Sequence, residues 1–144
     1  MSQSNAMLVR RAIDEIWNRG NYALLGEIAA DDIVIHASPP GEDIQGHAGI
    51  VQFHDALRAA FPDLHFRVED QIAAGDKVVI RWTASGTHNG EFQGIPPTGK
   101  AVLISGIDID RVVDRKVVEC WPEVNELGLL QQLGVLSAPE LVAR

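Results

Sequence analysis

The clearest structural signal in the sequence is the stretch GKAVLISGIDIDRVVDRKVVECWPEVN, residues 99–125. Residues 99–113 and 117–125 form two long runs rich in β-branched side chains, which suit a pleated and half-buried surface. The dipeptide Asp114-Arg115 lies between them and supplies a tight turn. The two runs are therefore predicted to pair as an antiparallel hairpin.

Two further β-rich runs precede this hairpin and extend the same pattern. They cover residues 64–72 and 77–88, and Gly75-Asp76 supplies the turn between them. A loop rich in glycine and proline follows at residues 90–99. The second half of the chain is therefore predicted to be a meander of long antiparallel strands.

Helical periodicity dominates the residues before the meander. Apolar residues recur at spacings of three and four over residues 6–17 and 46–60, and Pro62 ends the second of these helices. A shorter helix is predicted over residues 22–29, and a short strand over residues 33–35.

The order of these elements predicts an α+β domain, closed by a last amphipathic helix over residues 126–133. Helices that come before a run of antiparallel strands are expected to cover one face of the sheet. We expect a strongly curved, mainly antiparallel sheet that wraps as a cone-shaped roll around the three N-terminal helices. The open end of such a cone is a natural pocket.

Length and composition favour one folded domain over residues 1–144, with its core at about residues 8–134. Hydrophobic residues make up 46% of the chain and charged residues 22%, which is typical of globular proteins. The formal net charge of −8 disfavours nucleic acid and anionic membrane surfaces as partners. Cys120 is the only cysteine of the sequence, which excludes an internal disulfide and a cysteine-based zinc cage.

The start of the chain lacks the pattern of a signal peptide, because residues 1–5 are polar and the first apolar positions alternate with charged ones. No apolar run approaches the roughly 20 residues of a membrane span. We therefore predict a cytoplasmic protein.

Several separated motifs resemble those of one known family. They are FPDL at residues 61–64, GTHNGEF at 86–92, GIPPTGK at 94–100, and Trp121 followed by QQLG at 131–134. In this order they resemble the SnoaL-like polyketide cyclase (ester cyclase) family of the nuclear-transport-factor-like, or cystatin-like, superfamily.

The resemblance implies cofactor-free acid/base chemistry on a small apolar carbonyl compound, in which an intramolecular aldol condensation closes a ring inside an apolar cone. It also implies an acid/base Asp a few residues after an aromatic such as Trp121, and the matching position here is Asn125. An amide cannot take up the proton, but it can donate a hydrogen bond to an oxyanion. The alternatives are a non-catalytic ligand-binding domain of the same fold and an epoxide hydrolase-like enzyme.

The candidate catalytic residues are Glu123, Asn125 and His36. Strand alternation places Glu123 on the face of Trp121 and Asn125, where it could replace the missing Asp if that face lines the cone. Asn125 would be the oxyanion donor. His36 matches a His typical of the family and could shuttle a proton, or it could tie the following loop to backbone carbonyls.

The candidate substrate-binding residues are Trp121 and Trp82 as cavity wall, His88 at the pocket mouth, and Asp108. His88 could instead hold the turn in which it lies. Asp108 could fall opposite Trp121, although a register slip of one residue would reverse its face. The epoxide hydrolase-like alternative requires Asp108 to face the cavity near an arginine.

The arginines available for that pairing are Arg81 and Arg111, whereas a solvated Asp108 would pair with Arg115 or Lys116. The histidines form no metal motif, since two of them on one helix are seven residues apart, and we expect no metal and no cofactor. Apolar residues on both faces of the last two strands predict a homodimer that pairs through the outer face of the sheet, as the resemblance also implies.

Overall fold

The computed structural model describes residues 2–37 and 41–136. The last residues of the predicted domain, 137–144, lie outside the described residues, as does most of the loop after His36. The helices and strands, in chain order, are α1 (Ser2–Ala12), a π-helical turn (Ile13–Asn18), a 3-10 turn (Tyr22–Leu24), α2 (Leu25–Ile28), β1 (Ala29–Ile35), β2 (Ile44–Gln45), α3 (Gly46–Ala60), β3 (His65–Ala74), β4 (Lys77–Thr87), β5 (Ala101–Val113), β6 (Lys116–Val124) and α4 (Glu126–Gln132).

The strands form one curved, open, six-stranded sheet in the order β2-β1-β6-β5-β4-β3. Neighbouring strands are antiparallel except β1 and β6, which are parallel. The α+β prediction is confirmed, and so are the turns at Gly75-Asp76 and Asp114-Arg115. The two-residue strand β2 is too short to have a periodicity of its own, and the sequence did not predict it.

The helices differ from the prediction mainly in how the first one ends. The α-helical pattern changes to a π-helical turn at Ile13–Asn18, and Gly20 follows in the left-handed conformation with φ of 65°. The predicted second helix is a 3-10 turn followed by the four-residue α2. None of the helices among the described residues is long and apolar enough to cross a membrane.

An extra residue in β6 sets the register of the β5–β6 hairpin. Next to the turn, Val112 pairs with Val117, but the next pair is Arg111 with Glu119, so Val118 has no partner of its own. This is a β-bulge, and it reverses which face of the sheet the following β6 residues occupy.

The core lies between the concave face of the sheet and the helices. Alternate residues of β4 and β5 face it, because side chains alternate across a strand. Those of β4 include Val78, Ile80 and Trp82, and they pack in one buried cluster with Val9 and Ile50 from the helices. The convex face is left with large exposed apolar side chains, among them Leu103 (60% exposed), Ile107 (48%), Ile109 (37%) and Trp121 (37%).

Candidate active site

A cavity of about 620 Å³ lies between the concave face of the sheet and the helices. Its walls are mostly apolar, and the π-helical turn contributes Ile13, Ile16 and Trp17. Other apolar wall residues are Ile28, Ile33, Ile50, Phe53, Phe66 and Ile104. Concave, largely apolar spaces with a few polar groups are the usual form of small-molecule sites.

The wall with the π-helical turn is held from behind by α3. His54, which is 1% exposed, donates from Nε2 to the carbonyl oxygen of Trp17 at 3.0 Å. Arg58 donates to the same carbonyl at 3.1 Å. Burial lowers the pKa of His54, so the ring is neutral at physiological pH and acts here as a structural donor.

Two carboxyl groups interrupt the apolar wall. Asp108 and Asp110 are two residues apart on β5, and both side chains therefore point to the concave face and line the cavity. Cys120 of β6 lies opposite Asp110 and also lines the cavity. One oxygen of each carboxyl group and the Sγ of Cys120 all lie within 4.8 Å of one another.

The two carboxyl groups have different hydrogen-bond donors. The indole Nε1 of Trp82 donates to Oδ1 of Asp108 at 2.9 Å, and the thiol of Cys120 donates to its Oδ2 at 3.8 Å. Asp110, which is 7% exposed, shares the thiol with Asp108. Because hydrogen bonds to a carboxylate stabilise its charged form, Asp108 is the member of the pair better suited to ionise.

The position of Trp82 depends on the residue that faces it across the sheet. Trp82 pairs with Gly106 in the β4–β5 ladder. A Cβ atom on residue 106 would lie 2.3 Å from Cζ2 of the indole, a distance that real atoms do not allow. Gly106 therefore leaves the space in which the indole lies against Asp108.

Burial raises the pKa of both carboxyl groups. For Asp110 it raises the pKa to about 7, and the nearby charge of Asp108 adds to the shift. The pKa of Asp108 is also raised by burial, against the two donated hydrogen bonds. Two interacting carboxyl groups in such a space titrate as a pair, and with a pKa of about 7 Asp110 still carries its proton in part of the molecules at neutral pH. The arrangement can thus offer a base and an acid on one wall.

Asp108, Asp110 and Cys120 are also the one group of metal-ligating side chains, among residues 2–37 and 41–136, whose donor atoms are close enough to share an ion. Burial and the two carboxyl groups raise the pKa of the Cys120 thiol well above its usual value, so the sulfur retains its hydrogen.

Two of the predicted site residues, Trp121 and Glu123, follow Cys120 on β6. The structure places the indole of Trp121 on the convex face, because the bulge at Val118 pairs Asp108 with Pro122 and Ile109 with Trp121. The expectation that the Trp121 face lines the cone is therefore wrong. Glu123 is exposed and borders the cavity opening as well as a groove on the convex face.

Asn125 caps a helix instead of facing the cavity. Its Oδ1 accepts a hydrogen bond from the backbone N–H of Gly128 at 3.0 Å, which caps the first turn of α4. The side chain is exposed and is not part of the cavity lining. The geometry gives it a structural task at the end of β6.

His36 lies in an ion-pair network on the convex face. Its ring stacks on Trp121 with centroids 5.2 Å apart, and its Nε2 lies 2.8 Å from Oε2 of Glu119. Glu119 also pairs with Arg111 at 2.6 Å, and Asp43 lies 3.4 Å from Nδ1 of His36. The hydrogen bond to Glu119 raises the pKa of His36. The side chain does not line the cavity, although its neighbours Ile35 and Ala37 do.

His88 holds the base of the glycine- and proline-rich loop. Its Nδ1 accepts a hydrogen bond from the backbone N–H of Thr98 at 3.2 Å, and its ring packs against Phe61 with centroids 5.5 Å apart. The ring is 0% exposed and does not line the cavity. The structure thus favours the loop-holding alternative over a position at the mouth.

Of the predicted site residues, the structure brings Asp108 and Trp82 together on the cavity wall. Within residues 2–37 and 41–136 it does not bring an arginine to them. Arg81 pairs with Asp70 at 2.7 Å and Arg111 with Glu119, and neither lines the cavity. The carboxylate and arginine combination of the epoxide hydrolase-like alternative is therefore not formed.

Sequence reasoning missed Asp110 and Cys120 as members of the site. The alternation of β5 already places Asp110 on the face of Asp108, so the spacing of the two aspartates was the available signal. For Cys120 there was no comparable signal, because its direction depends on the bulge at Val118.

Comparisons with known proteins agree with this architecture. The profile of the SnoaL-like polyketide cyclase family matches residues 7–133. A SnoaL-like candidate polyketide cyclase from Jannaschia sp. CCS1 shares the fold, with a TM-score of 0.83 at 24% identity over 96% of this chain and 95% of that one.

Two Streptomyces structures are more similar in sequence. AclR from Streptomyces galilaeus, named as a candidate hydroxylase, has a TM-score of 0.83 at 31% identity over 99% of this chain and 88% of that one. IdmH from Streptomyces antibioticus, named as a candidate polyketide cyclase, has a TM-score of 0.79 at 32% identity over 91% and 99%. No functionally curated protein matches the sequence. Because the family profile covers nearly all of the described residues, and the structures above share the cone fold, the chain belongs to the SnoaL-like polyketide cyclase family.

Proposed function

We propose that this protein catalyses cofactor-free proton transfer on a small apolar carbonyl compound, leading to ring closure or isomerisation. The observation that carries the proposal is the pair of buried carboxyl groups, Asp108 and Asp110, on the wall of a mostly apolar cavity. Buried ionisable groups with raised pKa values in a concave site are typical of acid/base catalysts.

In this reaction the two carboxyl groups have opposite tasks. The Asp108 carboxylate takes a proton from the carbon next to the carbonyl group, and the electrons of that C–H bond form the double bond of an enol. The Asp110 carboxyl group gives its proton to the carbonyl oxygen. In a ring closure the enol carbon then attacks a second carbonyl group of the same molecule, whose oxygen takes the proton from Asp108 while the enol O–H returns its proton to Asp110. In an isomerisation Asp108 instead gives its proton to another carbon of a conjugated enol, and the O–H proton again returns to Asp110.

Trp82 and Cys120 act on the reaction through Asp108. Their hydrogen bonds stabilise its charged form and fix its orientation, so both are positioning residues. The apolar walls exclude water, which strengthens the interactions of the two carboxyl groups with a bound carbonyl group.

A general proton-exchange assay tests the proposal without knowledge of the natural substrate. The probe is 2-tetralone, an apolar ketone with acidic hydrogens next to its carbonyl group, and its hydrogen-to-deuterium exchange in D₂O is followed by proton NMR. We expect the protein to accelerate the exchange, and Asp108→Asn to remove about 10²- to 10⁴-fold of the acceleration. Asp32→Asn changes an exposed carboxylate on β1 and is the matched control.

The same assay separates catalysis from simple binding. Asn125 occupies the position where the family resemblance implies the acid/base Asp, and this favours a non-catalytic ligand-binding domain as the second candidate function. Binding of 2-tetralone with no acceleration of exchange would support that alternative. Acceleration that Asp108→Asn leaves intact would contradict the proposed base.

We also propose that the protein forms a homodimer through the convex face of the sheet. The exposed apolar residues Leu103, Ile107, Ile109 and Trp121 support this, because monomeric proteins seldom expose large contiguous apolar patches.

A further inference from the structure

The end of the π-helical turn is fastened to the edge of the sheet by one side chain. Asn18 donates from Nδ2 to the carbonyl oxygen of Phe66 at 2.9 Å, and its Oδ1 accepts from the backbone N–H of the same residue at 2.7 Å. Among the described residues, β3 is the last strand on this side of the sheet. Because an amide offers a donor and an acceptor together, Asn18 bonds both backbone groups of Phe66 as a neighbouring strand would.

Asn18 is itself held from α3. Arg58 donates to the backbone carbonyl oxygens of Asn18 and Trp17, and His54 donates to that of Trp17. The last carbonyl groups of a helix have no partner within the helix, so they are free to accept these bonds. The contacts from α3 therefore fix the place from which the Asn18 amide reaches β3.

The residue that Asn18 holds packs against the hydrogen-bond donor of Asp108. Phe66 lies opposite Ala84, which is two residues along β4 from Trp82, so the two aromatic side chains are diagonal neighbours on the concave face. Their rings meet edge to face with centroids 5.2 Å apart. A displacement of Phe66 is therefore felt directly by the indole.

The indole has little room to adjust. Gly106 faces it across the sheet, where one added carbon atom would clash with the ring, and Trp82 is 6% exposed. Its N–H donates to Oδ1 of Asp108 at 2.9 Å. Because a hydrogen bond weakens as its angle closes, a rotation of the ring changes how well Asp108 is held.

Resting on the function proposed above, we propose that Asn18 is a positioning residue for the base Asp108. Its amide holds Phe66 at the edge of the sheet, Phe66 holds the indole of Trp82, and the indole orients the carboxylate. Asn18 does not line the cavity, so its effect on the reaction passes through these two aromatic residues.

The indole N–H of Trp82 reports this coupling without any substrate. In ¹⁵N-labelled protein its signal is identified by its loss in Trp82→Phe, and a hydrogen bond to a carboxylate shifts the proton downfield and slows its exchange with water. We expect Asn18→Ala to move the signal upfield and to speed the exchange about tenfold. The indole signal of Trp121, on the convex face, is the internal reference.

The rate of 2-tetralone exchange measures the consequence for the chemistry. Asn18→Ala should slow the catalysed exchange about three- to tenfold, because the base is held less well. In the Trp82→Phe background the same substitution should cost nothing further, since the donor through which it acts is gone. Losses that add in the double variant would show a general structural role and overturn the inference.

Gln71→Ala is the matched control. Gln71 lies on the same strand and donates from Nε2 to the backbone carbonyl oxygen of Ala6 at 2.7 Å, so it also ties β3 to the N-terminal helix. It does not line the cavity. We expect Gln71→Ala to lower the urea midpoint while leaving the Trp82 signal and the rate of 2-tetralone exchange unchanged. Equal effects of Gln71→Ala and Asn18→Ala on the indole would contradict the inference.

Phe66→Leu tests the middle of the chain of contacts. It keeps the backbone groups that Asn18 bonds but removes the ring that packs on Trp82, so the Trp82 signal should again move upfield. If Asn18→Ala does not fold, Phe66→Leu and its double variant with Trp82→Phe carry the same predictions. A Trp82 signal that stays at its native position in every folded variant of the two residues overturns the inference.

Failure of this inference and failure of the proposed function are distinguishable. If the native protein does not accelerate the exchange of 2-tetralone while the indole responds as expected, the proposed function is wrong, and Asn18 positions Trp82 without a catalytic consequence. If the native protein accelerates the exchange and Asn18→Ala leaves both the rate and the indole signal unchanged, this inference alone is wrong.

Discussion

The indole N–H of Trp82 meets the carboxylate of Asp108 at 2.9 Å, and this contact makes two neighbouring aspartates chemically different. Asp108 accepts from the indole and from the Cys120 thiol, whereas Asp110 is buried more deeply and, among the described residues, has only the thiol as a donor. Because of this difference, we assign the base to Asp108 and the acid to Asp110.

Replacing Trp82 with Phe should raise the pKa of Asp108. The variant keeps most of the ring volume but removes the donor, and a hydrogen bond to a charged group stabilises that charged form by about 1.5–3 kcal/mol. The carboxyl ¹³C shifts of labelled aspartate, followed by NMR as a function of pH, measure the change. Trp17→Phe is the control, since Trp17 lines the cavity too. An Asp108 titration that does not move in Trp82→Phe would contradict the assignment of the base.

Adding a methyl group at Gly106 should have a similar effect through the indole. Gly106→Ala places a Cβ 2.3 Å from the ring, so Trp82 must shift away from Asp108. We expect a loss of about 1–3 kcal/mol in the free energy of unfolding, as for other overpacked sites, together with a raised pKa of Asp108. Urea denaturation and the same NMR titration measure the two effects. Gly26→Ala, where a Cβ meets nothing within 4 Å, is the control.

The stability of the protein should fall as pH rises through the range in which Asp110 titrates. Its pKa in the folded state is about 7, whereas an unfolded Asp titrates near 3.9. Between these values the folded state binds more protons, so the free energy of unfolding decreases with rising pH and reaches its plateau above about pH 7.

Asp110→Asn removes this dependence. The variant should gain stability relative to the native protein, by on the order of 2–4 kcal/mol at about pH 8, and much less at about pH 4.5. Urea denaturation at several pH values provides the comparison, with Asp32→Asn as the exposed control. An equal difference at both ends of the pH range would show that Asp110 is not the titrating group.

The convex face should hold two chains together. We expect sedimentation equilibrium to give twice the chain mass of 15.7 kDa at micromolar concentration. Ile107→Lys places a charge in the middle of the exposed apolar patch and should yield monomers. Met7→Lys changes an exposed residue of α1, on the other side of the molecule, and should remain dimeric. A native protein that sediments as a single chain would contradict the dimer.

Local patterns in the sequence were sufficient to predict most of the fold. The helix over residues 46–60 has the predicted bounds, and the four long strands begin and end within two residues of the prediction, because their periodicity and their turns are local signals. The parallel pairing of β1 with β6 joins segments far apart in the chain, and no short-range pattern indicates it.

The site was harder to predict than the fold, and one residue explains most of the difference. Without a bulge, pairing from the Asp114-Arg115 turn would place Asp108 opposite Trp121. Val118 adds one residue to β6, so Trp121 faces outward and Cys120 faces the carboxyl groups. Asn125 caps α4, which is an ordinary position for Asn. The family resemblance implied a chemical role at this position, and that role was predicted instead of the cap.

Val118 also limits how roles are carried between this chain and its relatives. For strand residues before Val118, a residue that aligns with the same residue type in a relative also faces the same side of the sheet. For the residues of β6 after Val118, the face agrees only when the relative has the same inserted residue. A tryptophan aligned with Trp121 can therefore be a surface residue in one protein and a cavity-wall residue in another. Loss of the single Val118 codon would turn the Cys120 thiol outward and bring an indole inward, converting an acid-lined hollow into an aromatic-filled one.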